Sequence, residues 1–152
     1  GVQCLTDYGI HYLEDELVEL DGIRFYGSPW TPAFNDWAFN KSRAKIDKVW
    51  QNIPTDEHIH VLITHGPPKG ILDISENMDR EIEICGDSAL YKRIINHVRP
   101  SWHCFGHIHN WGNHINAGTL KLSAHDTNFS NGSVVTDNKF GKLTSNGNIF
   151  II

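Results

Sequence analysis

Three histidines stand where two apolar runs end. Thr64-His65-Gly66-Pro67-Pro68 follows the run Ile59 to Ile63, and Gly106-His107-Ile108-His109 follows Trp102 to Phe105. A neutral imidazole presents one lone pair, which suits zinc, iron and manganese ions. His65, His107 and His109 are therefore candidate metal ligands, weighed against the plainer role of hydrogen-bonded loop residues. Gly66 and Gly106 permit tight turns and a close approach of backbone to an ion or oxyanion. Pro67-Pro68 stiffens the loop that carries His65. Two positions apart, His107 and His109 face opposite sides of a continuing strand but turn toward one point in a bent loop.

Those side chains meet only if the strands beneath them are aligned. Both apolar runs read as strands. Between them, Leu90, Ile94, Ile95 and Val98 fall on one face of a helix that Asp87 or Ser88 caps and Pro100 ends. Strand, helix, strand is a βαβ unit, expected to be parallel with a right-handed crossover, so both histidine loops leave the same edge of one sheet. Upstream, Glu16 to Leu20 and Ile23 to Tyr26 alternate as strands around Asp21-Gly22, a hairpin signal. After the Pro-rich loop Gly27 to Pro32, the spacing predicts a helix from about Asp36 to Gln51, capped by Asn35 or Asp36. Downstream, short strands are predicted at His114 to Asn116, Thr119 to Ser123, Ser133 to Asp137 and Ile149 to Ile152, with a hairpin tip at Asn138-Lys139.

Composition bounds the rest. The chain has 152 residues, enough for one domain with its own core, and a formal charge of -5. That sign argues against a nucleic-acid backbone as the main partner, and none is expected. No apolar run is long enough to span a bilayer and the first residues do not read as a signal peptide, so no membrane contact is expected. Six acidic residues (Asp7, Glu14, Asp15, Glu16, Glu19, Asp21) precede the first basic one, Arg24, and read as a solvated face. Cys4, Cys85 and Cys104 form no metal or dithiol pattern, which predicts reduced thiols and cytoplasmic residence. The acceptor-like triplets at Asn40, Asn128 and Asn131 are read as chance. Because the chain begins at Gly1 and its one methionine is Met78, a piece of a longer product is expected.

Three blocks together resemble a known family: Tyr26-Gly27-Ser28-Pro29-Trp30-Thr31-Pro32, Thr64-His65-Gly66-Pro67-Pro68 with Gly70-Ile71-Leu72-Asp73 behind it, and Phe105-Gly106-His107-Ile108-His109. The chain resembles the calcineurin-like metallophosphoesterases, most nearly their metallophosphoesterase-domain (MPPED-type) subgroup. The resemblance implies an α/β fold with a β-sandwich flanked by helices. It also implies two divalent ions (Mn, Fe or Zn) and hydrolysis of a phosphomonoester or phosphodiester, a cyclic nucleotide by subgroup analogy. His65 and His107 would bind one ion and His109 the other. The family's Gly-Asp and Gly-Asn-His are missing ahead of His65, and so is an Asp-x-His near the N-terminus. Gly86-Asp87 and Gly112-Asn113-His114 carry similar letters downstream and are read as coincidence.

The expectation is accordingly that residues 1–152 form the C-terminal part of a single domain, incomplete at its N-terminus and inactive alone. Its bare sheet edge would favour self-association. The rival reading is a short non-catalytic protein that binds a metal through the three histidines, or a partner through that edge. Other candidates have ordinary readings. His58 and His60 share a strand face, His97 sits near a helix C-terminus, and His11 and His103 read as structural. His125-Asp126 near Ser123 lacks a nucleophile elbow. Trp30, Trp37, Trp102 and Trp111 read as packing and loop support.

Overall fold

The computed structural model describes residues 2–77, 79, 81–136 and 141–152. After a short helix α1 (Val2–Asp7), strands β1 (Glu16–Leu20) and β2 (Ile23–Ser28) pair as the antiparallel hairpin that Asp21-Gly22 predicts. Both turn residues have the positive φ such a turn requires, 51° at Asp21 and 80° at Gly22.

Next come the two-residue strands β3 (Thr31–Pro32) and β4 (Asn40–Lys41), which pair with each other, and then helix α2 (Arg43–Gln51). The helix expected from Asp36 thus begins seven residues later, with Ser42 rather than Asn35 or Asp36 at its N-cap. Residues 33–39 are instead a loop. Thr31 N donates to Phe39 O, Ala33 N to Lys41 O, and the Asn40 amide to the carbonyls of Phe34 and Asn35. Positive φ at Asn35 (51°) and Phe39 (62°) breaks the helical path that the apolar spacing suggests.

Strand β5 (Val61–Thr64) leads into the first histidine loop. A hairpin that the sequence does not announce, β6 (Ile74–Glu76) with β7 (Ile82–Ile84), interrupts the excursion that follows. Helix α3 (Ser88–Arg93) is capped by Asp87, whose carboxylate accepts from Leu90 N at 2.7 Å, and it relaxes into a π-helical turn over Ile94–Val98. Arg99 closes that turn in the left-handed region (φ 47°) because Pro100 bars it from continuing the helix.

Strand β8 (Trp102–Phe105) then takes the predicted place parallel to β5. Strands β9 (Gly118–Lys121) and β10 (Asn128–Asn131) complete a six-stranded sheet in the order β1-β2-β5-β8-β10-β9. Three further strand predictions are corrected. His114 closes a tight turn with Trp111, and Ile115 and Asn116 follow it outside any strand. Among the described residues of the stretch from Ser133, Val135 and Thr136 form single bridges. Ile149 to Ile152 forms no strand, and Phe150 stacks on Trp102 at 4.1 Å between ring centroids. Asp137 and the proposed hairpin tip at Asn138-Lys139 lie outside the described residues.

The architecture is α/β, as the resemblance implies. Among the described residues the sandwich is represented by this one large sheet with helices against it. The core occupies the helical side. Leu62, Phe105, Phe129 and Tyr26 from the strands meet Ile46, Val49 and Trp50 of α2, and Leu90 and Ile94 of α3 and its π turn. Burial of this cluster supplies the main driving force, roughly 25 cal/mol per Å² of apolar surface removed from water. Its first role for function is alignment: β2, β5, β8 and β10 run parallel, so their C-terminal ends share one edge.

Candidate functional site

At that edge, Gly106 N donates to His65 O at 3.0 Å, tying the two histidine loops together through the backbone. The imidazoles follow. His65 Nε2 and His107 Nδ1 are 3.1 Å apart in a hydrogen bond, with ring centroids at 4.6 Å. Partial burial of its ring lowers the His65 pKa below the ordinary imidazole range, which favours the neutral, lone-pair-bearing form.

His107 sits at the centre of a γ-turn. Ile108 N donates to Gly106 O at 2.8 Å, and His107 has φ 69°. This tight bend sends the chain back at once, and it separates His107 from His109. The His109 carbonyl accepts from the Asn116 amide at 2.6 Å. Among the described residues no group of three or more His, Cys, Asp or Glu side chains is gathered closely enough to hold an ion. The strain at His107 is measurable. His107→Gly, which tolerates positive φ, should be more stable than His107→Ala by about 1 kcal/mol; equal urea midpoints would show that the turn stores none.

The scaffold under the loops is made of polar residues that the sequence reading passed over. Asn131, wholly buried, donates to Ile108 O and Leu72 O, both at 3.1 Å, and its Oδ1 accepts from Ser133 N. Asn116 clamps Ile74 through two bonds besides holding His109. Asp73, 1% exposed, accepts from Gly70 N and Gly86 N at 2.8 Å each and so closes the first loop on itself. A Cβ at Gly86 would stand 2.6 Å from that carboxylate and 2.5 Å from Pro68 O, so only glycine fits. Nothing in an isolated Asn or Asp distinguishes these roles in the sequence; the Asn131 triplet is a strand residue, not a surface acceptor.

On the near side, Asp15 accepts from Ser28 Oγ at 2.7 Å and from Trp30 Nε1 at 2.8 Å, pinning the Tyr26 to Pro32 block. The acidic run is thus not wholly a solvated face. Lys41 lies over the Trp30 ring at 3.4 Å, and Trp37 sets an edge against His107 at 6.1 Å between centroids. Trp111 donates to Glu76. These tryptophans support loops, as their composition suggests.

The remaining candidates lie elsewhere. His58 bonds Ser101 Oγ at 3.1 Å, and His60 accepts from Arg24 N at 3.0 Å, both before β5. His58, Ser101, Arg99, His125 and Asp126 line a cleft of about 500 Å³ at the opposite edge of the sheet. Asp56-Glu57-His58 does spell Asp-x-His ahead of His65, yet it falls at that opposite edge. Gly86-Asp87 proves to be the α3 cap, and Gly112-Asn113-His114 belongs to the Trp111–His114 turn.

No family model matches the chain. Individual relatives do. A UPF0046 protein of Caenorhabditis elegans is 45% identical over 100 residues, covering 64% of this chain and 24% of that protein. Metallophosphoesterase domain-containing protein 1 of human and of mouse is 40% identical over 130 residues, covering 84% of this chain and 36% of the relative. The chain belongs to the MPPED-type metallophosphoesterase family. It spans between 24% and 36% of the length of these relatives. The family implies divalent metal ions in general terms, and the three motif blocks give the paired imidazoles a chemical context.

Two imidazole nitrogens bound to one tetrahedral zinc at 2.0–2.1 Å lie about 3.3 Å apart. The observed 3.1 Å between His65 Nε2 and His107 Nδ1 is close to that separation, and a shared ion would take the place of the proton that now joins them, with both rings turning their lone pairs toward it. The described residues do not fit two ions, since no third ligand joins the pair. No helix among them is long and apolar enough to cross a membrane.

Proposed function

We propose that this chain supplies part of the metal centre of a phosphoester hydrolase, acting on a phosphomonoester or phosphodiester, with a cyclic nucleotide as the subgroup's suggested substrate. The observation that carries the reading is the juxtaposition of His65 and His107, 42 residues apart, at the C-terminal ends of two parallel strands. Family relatives named for a metallophosphoesterase domain support it. His65 Nε2 and His107 Nδ1 are the donors for one ion of the Mn, Fe or Zn class; His109, which the resemblance would give to a second ion, is not grouped with them among the described residues. Such an ion supplies Lewis acidity toward the phosphoryl oxygens. The chain's own part is to hold the two imidazoles within one coordination sphere, His65 in its neutral form, and to bring the Gly66 and Gly106 backbones close without side-chain hindrance. Cytoplasmic residence, with Cys4, Cys85 and Cys104 as thiols, belongs to the same reading.

That no third candidate ligand is gathered with the pair among the described residues favours a second reading, in which this chain binds an ion without turnover. Calorimetric titration with Zn²⁺ and assay of bis(p-nitrophenyl) phosphate with added Mn²⁺ separate the two. Ion binding should fall at least tenfold in His65→Ala and in His107→Ala, whereas His58→Ala leaves it unchanged. Turnover lost with the same substitutions supports the hydrolase. Binding without turnover supports the second reading, and an affinity indifferent to both substitutions sinks each of them.

A further inference from the structure

His103 is fully buried on β8, on the face that meets the core, between Phe105 (ring centroids 4.9 Å apart) and Phe129 (5.9 Å). Its Nε2 is 2.8 Å from Thr64 Oγ1, and Thr64 Oγ1 is 2.7 Å from Gly66 O. A hydroxyl has one proton, and a carbonyl can only accept. Thr64 must therefore donate to Gly66 O and accept from His103, which places the His103 proton on Nε2. The other nitrogen, Nδ1, is buried with no partner, so it stays a bare lone pair. A cationic ring would bury an N–H without an acceptor, which the apolar surroundings strongly disfavour. The burial accordingly pushes His103 down to about 3, and the ring is neutral at working pH.

The relay ends at Gly66, the residue after His65. Thr64 and Gly66 flank the candidate ligand, so a bond from Thr64 Oγ1 to Gly66 O fixes the turn at His65 itself. We propose that His103 is a positioning residue for the candidate site. Through Thr64, its Nε2–H locks the Thr64–Gly66 turn in the one form that aims the His65 imidazole at His107. This assignment rests on the His65–His107 pair being the site. From sequence alone His103 has no role beyond structure, whereas the relay gives it an orienting one on a ligand it does not touch.

Long-range ¹H–¹⁵N spectra of the histidine rings test the relay in the metal-free protein, and Zn²⁺ titration tests its consequence. His103 should show the Nε2–H form with a slowly exchanging proton. In His103→Leu and Thr64→Val the ring resonances of His65 and His107 should shift, and Zn²⁺ affinity should fall about tenfold. In His103→Gln and Thr64→Ser, which retain the donor and the hydroxyl, both should return toward the parent. Ile95→Ala, a core truncation off the relay, should lower the melting temperature but leave rings and affinity alone. If His103→Leu fails to fold, the Thr64 pair carries the comparison. An Nδ1–H form of His103, or destabilised His103 and Thr64 variants with unmoved His65 resonances, overturns the proposal. A parent protein that binds no Zn²⁺ removes the metal reading, while the ring spectra still decide the relay.

Discussion

Acidification from pH 7 to 4.5 should cost this chain on the order of 2 kcal/mol of folding stability through His103 alone, and His103→Gln should remove that share. In the folded chain, burial holds His103 near 3, against an ordinary value of 6.5 once unfolded. Between those values the unfolded chain binds a proton that the folded chain refuses. The unfolded state gains protons as pH falls, so unfolding becomes easier by up to about 1.4 kcal/mol per pH unit for one such group. The contribution is complete above pH 6.5 and fades as pH drops toward 3. His65 acts in the same direction, because its folded pKa is also lowered. The difference between parent and His103→Gln isolates the buried ring. Urea unfolding at several pH values is the measurement, and parallel curves for the two proteins would show that His103 protonates as freely folded as unfolded.

Loss of the Asp87 carboxylate should be comparably damaging. One oxygen accepts from Leu90 N at 2.7 Å and from Trp50 Nε1 at 3.0 Å, joining the N-terminus of α3 to the last turn of α2. The other faces Arg43 at 3.5 Å, a pair whose guanidinium side is 61% exposed and so contributes little. Asp87→Ala removes the helix cap, worth about 1 kcal/mol. It also leaves the buried Trp50 indole N–H without an acceptor, worth about 1–3 kcal/mol. A total of roughly 2–4 kcal/mol is expected from these two terms. Asp87→Asn keeps an acceptor oxygen and should recover most of it. A urea-derived loss below about 1 kcal/mol in the alanine variant would mean that the indole finds water or another acceptor.

Parts of this arrangement are legible in the residues and parts are not. The βαβ unit is plain because Ile59 to Ile63 and Leu90 to Val98 change hydrophobic period from strand to helix, and Asp87 and Pro100 mark the helix ends. Strand β10 is not, because Asn128-Phe129-Ser130-Asn131 has one apolar residue; its polar side chains are satisfied by partners distant in the chain, such as Leu72 and Ile108. The misplaced start of α2 has a similar cause. Ala38 and Phe39 keep a helical spacing, yet Phe39 packs its ring on Trp30 from a loop.

By itself the sequence determines the family blocks, the α/β class and the pairing of His65 with His107. These follow from local patterns: apolar period, turn chemistry, and the rule that parallel strands end on one edge. The tertiary structure alone decides that His109 parts from that pair, since a γ-turn at His107 is a backbone state that no residue type signals there. It alone decides that His103 is buried, neutral and bonded to Thr64. The alternation of Trp102 to Phe105 puts His103 and Phe105 on one face and Trp102 and Cys104 on the other, without saying which face is covered. Which face is buried depends on where α2 and α3 come to rest, and that is set by packing across the whole chain.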